Sequence, residues 1–415
     1  MDKLRGIDYL RQKLNIYKLS VKQKQDAYDM KNIQIDPSIT IPPRYKNLYK
    51  GVLGWNRLAV NRFADRIVFA GFDNDTFEFE DIFASNNADI FFDSAILSAA
   101  TTSCCFVSIA KVKDRDIPRL DIIQGSNATG VIDSSNGLLK EGYAVLKHDD
   151  MGMPEIEAYY VPYKTYIYYQ GRKNPEIIDH PSRYPLLVPI INRPDASRPF
   201  GRSRITKACM YYQKLAKRTL ERMEITSEFY SWPQKYILGM ESTAESFDDW
   251  KATVTSMLRI DKDSDGDKPS LGQFQAASMS PFTEQLRNAA ALFSGETGLT
   301  LDDLGFLSDN PSSVEAIQAS HENLRLEARK AQRTFGSGFL NVGYLAACLR
   351  DGIDYDRYAF YKVRPEFEPI FEPNGNTLSA IGDGMIKINQ AVPNYFDEKS
   401  IYRITGFKGS DNVNR

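Results

Sequence analysis

The sequence IINRPDASRPFGRSRI, at residues 190–205, marks the point at which the pattern of this chain changes. Before it, from Phe106 to Ile191, short runs of Val, Ile and Tyr alternate with turn residues, a pattern typical of β-hairpins. After it, apolar residues recur at helical spacing until Trp232-Pro233 ends the pattern, with Ser203 as the expected N-cap. About 28 helical residues would form a rod roughly 42 Å long. The fold class is therefore predicted as α+β, with a hairpin module that leads into a long helix.

The region before this junction is predicted to combine three helices with seven strands. Apolar residues recur at helical spacing over residues 1–45, 53–69 and 81–105. The dipeptide Asn136-Gly137 indicates a tight hairpin turn, and Gly152 indicates another turn. The predicted strands are Phe106–Ala110, Arg119–Gln124, Ala128–Ile132, Leu138–Lys147, Glu155–Val161, Thr165–Gln170 and Leu187–Ile191.

The region after the junction is predicted to be mainly helical, with one small separate unit at residues 233–279. Within this unit, Tyr236–Leu238 and Leu271–Phe274 are predicted as strands. Ser280-Pro281 then opens a second helix, because Pro is favoured in the first helical turn, and this helix is predicted to stop near Gly295 and Gly298.

A third and very long helix is predicted from Ser312, which matches a capping box with Glu315, to Arg350. Three glycines lie inside it, and each costs about 1 kcal/mol relative to Ala, so a kink or break is expected there. These glycines are Gly336, Gly338 and Gly343. The rest of the chain is predicted to form extended runs at Tyr358–Val363 and Glu366–Phe371, then helices at Ser379–Ile388 and Glu398–Thr405.

Composition excludes several classes of protein. The 415 residues predict two or three structural units, and 52 Lys and Arg against 54 Asp and Glu argue against a basic protein that coats nucleic acid. No apolar run approaches the length of a membrane span, and the first residues carry no apolar leader, so no membrane role is expected. The four Cys lack metal-pair spacing and the three His stand far apart, which predicts a reduced compartment, no metal and no cofactor.

Charge is distributed unevenly along the chain. The first long helix carries seven Lys and Arg against three Glu after residue 201. We weigh two interpretations equally, a surface that meets phosphate groups and an exposed face that pairs with neighbouring helices. The candidate phosphate-facing residues, called here the basic face, are Lys207, Lys214, Lys217, Arg218 and Arg222.

Two further segments are acidic. Residues 241–267 carry eight acidic and three basic residues, and such a surface would attract a basic partner. Asp261–Asp267 also resembles the start of a calcium loop, but Gly272 stands where the bidentate Glu is needed, so a solvated acidic loop is favoured. The candidate partner-binding residues are Glu241, Glu245, Asp248, Asp249, Asp261, Asp263 and Asp265. The turn-rich residues 299–311 hold no Lys or Arg, and their candidate site residues are Asp302, Asp303, Ser308, Asp309 and Asn310.

No arrangement of residues predicts catalysis. The adjacent pairs Asp248-Asp249 and Asp302-Asp303 have no His, Lys or Gly-rich loop beside them, and neighbours in a helix face different ways. The chain has no phosphate loop and no nucleophile elbow. We therefore expect a protein that is not an enzyme.

The quoted stretch at residues 190–205 resembles a characteristic sequence of tailed-bacteriophage portal proteins, the head-to-tail connectors of the packaging vertex. A second match is Ser280–Arg287, followed by Glu296–Leu299 and by Asn310–Ile317. Together these segments are similar to the portal order of helix, loop and long kinked helix. The resemblance extends over residues 40 to 400, and its motifs are structural.

The resemblance implies a portal-protein fold with an α/β wing, a two-helix stem, a small α/β clip, a long kinked helix and a short helical crown. It assigns residues 1–200 to the wing, 201–232 to the first stem helix, 233–279 to the clip, 280–298 to the second stem helix, 299–311 to the tunnel loop, 312–373 to the long helix with the C-terminal wing, and 374–415 to the crown.

The resemblance further implies a dodecameric ring at one capsid vertex, through which double-stranded DNA is packaged and ejected. Its expected partners are the large terminase, the major capsid and scaffolding proteins and a head-completion or adaptor protein. The expected location is the virion, after assembly in the host cytoplasm. The alternatives are another structural virion protein, such as an adaptor or minor capsid protein, and a metal-dependent nucleic-acid enzyme that uses the acidic clusters.

Overall fold

The computed structural model describes residues 4–31, 51–113, 115–231, 235–238, 270–273, 278–306, 319–371 and 375–406. Its helices are α1 (Ile7–Tyr28), α2 (Trp55–Ala64), α3 (Phe79–Ala84), α4 (Ala88–Thr102), α5 (Lys207–Ser231), α6 (Ser280–Thr297), α7 (Glu322–Asp351), α8 (Gly375–Ala391) and α9 (Glu398–Thr405), with a 3-10 turn at Arg357–Phe360. Its strands are β1 (Phe69–Asp73), β2 (Cys104–Ala110), β3 (Arg119–Gln124), β4 (Ala128–Ile132), β5 (Leu139–His148), β6 (Pro154–Val161), β7 (Lys164–Tyr169), β8 (Glu176–Asp179), β9 (Leu187–Ile191), β10 (Lys235–Leu238), β11 (Ser270–Gln273) and β12 (Arg364–Phe367).

The hairpin module before residue 191 is confirmed. Strands β4 to β8 form a five-stranded antiparallel sheet in sequence order, and a second sheet has the order β3-β2-β9. Gly137 has φ +75° and Gly152 has φ +78°, as expected for glycines in the turns that flank β5. Strand β8 was not predicted, because its four residues are exposed and carry no alternation of apolar and polar side chains.

Helix α1 is held against the five-stranded sheet by a second, smaller hydrophobic cluster. Leu10 and Leu14 pack there with apolar side chains of β5 and β6. Glu141 of β5 is 1% exposed, and its carboxylate accepts hydrogen bonds from the backbone N–H groups of Arg5 and Gly6, at 2.9 and 3.1 Å. These groups stand at the start of α1, where backbone N–H groups lack helical partners and attract negative charge. The sheet therefore supplies the cap of α1.

Helix α7 passes through the main hydrophobic core. It runs continuously from Glu322 to Asp351, so of the predicted kink or break, the break is not present at its glycines. The glycines instead permit close packing. A Cβ added at Gly336 would lie 2.7 Å from Pro365, and one at Gly338 would lie 2.8 Å from Ile190. At Gly343 an added Cβ would lie 2.8 to 2.9 Å from three ring atoms of Phe79.

We expect Gly343→Ala and Gly295→Ala to change the free energy of unfolding in opposite directions. At Gly343 the new methyl group meets the ring of Phe79, which is packed against other aromatic rings, and overpacking of this kind costs about 1–3 kcal/mol. Gly295 lies in α6 with no atom within 4 Å of an added Cβ, so the higher helix propensity of Ala should stabilise by roughly 0.5–1 kcal/mol. Urea unfolding of both variants measures the difference, and a stabilised Gly343→Ala would contradict the packing argument.

Three predicted elements have different bounds in the structure. The helix predicted at residues 81–105 is two helices, α3 and α4, because Asn87 between them has φ +60°. The helix predicted at 53–69 is shorter, since Phe69 begins β1, which pairs antiparallel with β12 from the far end of the chain. Tyr358–Val363 contains the 3-10 turn rather than an extended run. The capping box at Ser312 and Glu315 lies outside the described residues.

Helices α5 and α6 pack against each other. Pro281 stands in the first turn of α6 and Gly298, with φ +68°, ends it, so both predicted signals are confirmed. Beyond them, β10 follows α5 and β11 precedes α6, and the two strands pair antiparallel from Lys235–Gln273 to Leu238–Ser270. The ladder therefore brings Leu238 and Ser270 side by side.

Candidate nucleic-acid interface

The stretch that resembles portal proteins forms a closed loop between β9 and α5. The side-chain carboxylate of Asp195 accepts hydrogen bonds from Ser197, the backbone N–H of Arg198 and the guanidinium of Arg202. These hydrogen bonds hold the pKa of Asp195 well below its usual range, and the bond from Ser197 makes the largest contribution. Gly201 has φ +72°, and a Cβ there would lie 2.0 Å from the carbonyl oxygen of Asn192, so only Gly fits.

Helix α5 begins later than the sequence predicts. Thr206, rather than Ser203, acts as its N-cap, since its hydroxyl accepts the backbone N–H of Cys209 at 3.2 Å. The hydroxyl of Ser203 instead donates to the carbonyl oxygen of Thr101 at 2.6 Å and accepts the N–H of Ile205. Ser203 is therefore used to tie the loop to the end of α4.

Arg204 is the central residue of this junction, and it is only 5% exposed. Its guanidinium donates to the carbonyl oxygens of Ala59 in α2 and Thr297 at the end of α6, and it pairs with Glu327 of α7. The same group lies over the ring of Phe63, 4.6 Å from the centroid. Burial lowers the pKa of Arg204, and Glu327 opposes that shift. One side chain thus joins the loop before α5 to the three helices α2, α6 and α7.

Fewer positive charges are exposed along α5 than the count of Lys and Arg in the sequence indicates. Arg204 is buried, and Arg202 is paired with Asp195, so neither adds free positive charge to the helix surface. Lys217 pairs with Glu221 at 3.6 Å, and both side chains are mostly buried. Lys207 and Lys214 are exposed, whereas Arg218 and Arg222 are half-buried.

The remaining basic residues of α5 still share one side of the helix. Lys207, Lys214, Arg218 and Arg222 are seven, four and four residues apart, which is the spacing of one helical face. Cys209, Ala216 and Thr219 form the opposite, buried face. Lys217 lies to one side of this stripe and is paired with Glu221, which stands seven residues after Lys214 on the same side of the helix. The structure therefore brings four of the five predicted residues together.

In the acidic segment at residues 299–311, Asp303 does not have the free, exposed carboxylate that the prediction requires. Asp303 accepts the backbone N–H and the hydroxyl of Thr300, both at 3.0 Å, and its carboxylate lies 3.2 Å from Nε2 of His321. Its side chain is 14% exposed, so it fastens the loop to the start of α7 rather than standing free. Asp302 is exposed. Ser308, Asp309, Asn310 and all seven predicted clip residues lie outside the described residues.

Asp303→Asn should lower the free energy of unfolding by about 1 kcal/mol near neutral pH, because it weakens charge-assisted hydrogen bonds. Burial would raise the pKa of Asp303, but the hydrogen bonds from Thr300 and the nearby His321 outweigh it, and the pKa is lowered. A lowered pKa stabilises the fold above the unfolded value of about 3.9, and that contribution is lost as the pH falls through the folded pKa. Urea unfolding at a series of pH values measures this. A difference between the two proteins that persists at low pH would contradict it.

The described residues also bear on metal sites, reactive cysteines and membrane-spanning helices. No three His, Cys, Asp or Glu side chains in the described ranges are grouped as metal ligands. All four Cys are buried and free, and burial raises the pKa of Cys104 to about 11. Within the same ranges, no helix has the length and apolar character needed to cross a membrane.

Comparison with known proteins gives one consistent result. No family model matches the chain. The chain is 25% identical over 342 residues to the portal protein of Mycobacterium phage D29, and 24% identical over 340 residues to that of Mycobacterium phage L5. Each match covers 76% of this chain and 68% of the relative. A chain from the virion of a native gene transfer agent particle aligns over 94% of this chain with a TM-score of 0.48 and 11% identity. The two phage relatives confirm the resemblance predicted from the sequence.

Proposed function

This chain is a relative of the bacteriophage portal proteins, and we propose that it forms a ring, expected to have twelve subunits, at one vertex of a phage capsid. Double-stranded DNA would enter and leave through the axial channel. The observation that carries the proposal is the match to two portal proteins over 76% of the chain. The protein would then be a structural component of the virion, without catalytic activity of its own.

The described helices support this role in physical terms. Helices α5 and α6 pack against each other, and in the sequence the paired strands β10 and β11 stand between them. Such a pair is suited to form a stem when copies are arranged around an axis. The basic face of α5 repeats once per copy, and Lys207 and Lys214 would add a weak positive band around the channel. A few cations per subunit hold DNA loosely, since affinity grows with each phosphate that is neutralised.

We assign partners by the same reasoning. Residues 233–279 would be the surface that the large terminase contacts during packaging and the head-completion or adaptor protein contacts afterwards, because the segment is acidic and stands in the sequence between the two proposed stem helices. The wing and crown would contact the major capsid and scaffolding proteins. Asp302 is the exposed acidic residue in the described part of the tunnel loop, and it would repel the phosphates of passing DNA.

Negative-stain electron microscopy of the purified chain tests the proposal most directly. The expected result is a ring with an axial hole wide enough for duplex DNA. Persistent monomers, or rings without a hole, would contradict it and favour another structural virion protein. Metal-dependent cleavage of DNA by the purified chain would instead favour a nucleic-acid enzyme.

A charge-reversal variant tests the role of the basic face. We expect Lys207→Glu with Lys214→Glu to leave ring assembly intact and to lower the yield of packaged DNA about tenfold, because each copy would repel phosphate groups. The matched control is Lys111→Glu with Lys113→Glu, two exposed lysines in the loop after β2, which should package normally. Nuclease-protected DNA per particle is the measurement. Equal yields from both variants would contradict a role for this face.

A further inference from the structure

An open pocket of about 270 Å³ lies among β1, the turn before β12 and helix α9, on elements other than the stem. It is lined by Asp73, Asn74, Tyr361, Lys362, Arg364 and Arg403. Three of these six side chains are cations and one is a carboxylate. We propose that this pocket binds a phosphate group of the backbone of duplex DNA. The proposal goes beyond the channel, since it would hold for a subunit outside a ring.

The carboxylate in the pocket is already neutralised. Asp73 and Arg364 are cross-strand partners in the β1–β12 ladder, and Asp73 is 11% exposed at its side chain. Arg403 of α9 donates to Asp73 at 2.8 Å and to Glu366 of β12 at 2.8 Å. These contacts raise the pKa of Arg403, with the bond to Glu366 as the largest contribution. Helix α9 is therefore fixed to the ladder, and the pocket is formed by held side chains.

The other two cations are available to a ligand. Lys362 and Arg364 are both exposed, and neither forms an ion pair with another described residue. The ammonium of Lys362 lies over the ring of Tyr361, 5.6 Å from its centroid, and that ring stacks on Tyr358 with centroids 5.0 Å apart. The aromatic pair supports Lys362 from one side. An anion that entered the pocket would be attracted by both cations.

The donor set fits a phosphate group. Lys and Arg supply charge-assisted hydrogen bonds, and the Tyr361 hydroxyl and the Asn74 amide add neutral donors of the kinds that contact DNA phosphates. These donors stand on β12, on the turn before it and directly after β1, and all of them line the same pocket. The pocket is open at the surface, where the backbone of a duplex can reach it.

Fluorescence anisotropy with a labelled DNA duplex, measured on the full chain over a series of salt concentrations, tests the proposal. We expect Lys362→Glu with Arg364→Glu to raise the Kd about tenfold or more. The slope of the log association constant against log salt is negative, and its magnitude should decrease by about two. The control is Lys111→Glu with Lys113→Glu, which makes the same change in net charge in another exposed loop. The control should change the slope little.

Two outcomes would overturn the proposal. One is an equal loss of affinity in the pocket variant and the control, since this would show only the effect of net charge. The other is displacement of the duplex by a polyglutamate peptide or by inorganic phosphate at an equal concentration of anionic groups, since the pocket would then prefer an acidic peptide or a free anion. Circular dichroism of the variants verifies that they fold, and ring formation is scored separately, so that failure here leaves the channel proposal testable.

Discussion

Replacing Arg204 with Met is expected to lower the free energy of unfolding by about 3–5 kcal/mol, because it removes one partner of a buried ion pair. The guanidinium is nearly inaccessible and satisfies the carbonyl oxygens of Ala59 and Thr297 as well as the carboxylate of Glu327. Met can replace the apolar contact with Phe63, but it donates no hydrogen bond. Glu327 would keep a weaker pair with Arg193 at 3.4 Å. Chemical denaturation followed by circular dichroism measures the change.

A neighbouring arginine provides the control for Arg204. Arg202→Met removes the same charge two residues away, where the partner is the exposed carboxylate of Asp195, and it should change stability little. Adding Glu327→Gln to Arg204→Met should recover part of the loss, since the half-buried carboxylate that keeps only the weaker pair with Arg193 is then neutral. If Arg204→Met and Arg202→Met destabilise equally, Arg204 does not hold the junction together.

The second large effect is expected at Glu141. Glu141→Gln should destabilise the docking of α1 by about 1.5–3 kcal/mol, the contribution of hydrogen bonds to a charged group. The carboxylate caps the start of α1 through Arg5 and Gly6, and it accepts the hydroxyl of Tyr159 at 2.9 Å. Burial and this bond raise the pKa of Tyr159, so its hydroxyl stays protonated as a donor. Gln keeps one oxygen acceptor but adds an amide that cannot accept.

Hydrogen exchange measures this effect locally. Amides of α1 should exchange about 10- to 100-fold faster in Glu141→Gln, since 1.4 kcal/mol corresponds to a factor of ten. Amides of α7 should be unchanged. Glu155→Gln in the same sheet is the control, because Glu155 is half-exposed and pairs with Lys147 at the surface. Uniform acceleration across the whole chain would contradict a local role for Glu141.

Elements with strong local signals were predicted well from the sequence. Strands β3, β4 and β9 have the predicted bounds, and α6 begins and ends where Pro281 and Gly298 indicate. In each case the signal is carried by the residues of the element itself, through alternation or through the backbone preference of Pro and Gly. The family resemblance was predicted for the same reason, since its motifs are short and contiguous.

Features that depend on distant parts of the chain were not predicted. Arg204 was counted among the exposed charges of the stem, because only the packing of α2, α6 and α7 around it reveals its burial. Asp303 was assigned to the channel, although His321, 18 residues later, holds it. The glycines of α7 predicted a break in isolation, but their neighbours Pro365, Ile190 and Phe79 come from three other segments. Helix propensity is a weak signal when tertiary contacts decide.

The ladder of β10 and β11 has a consequence for how such a protein can diversify. Its four residue pairs bring Leu238 and Ser270 side by side, although 31 residues separate them in the sequence. The ladder is joined by backbone hydrogen bonds, so its pairing does not depend on the sequence between these two residues. The intervening sequence can therefore change in length and composition without altering the side chains that pack α5 on α6. If this segment contacts partners, as proposed above, a new partner can be acquired by exchange of one cassette while the rest of the subunit keeps its geometry.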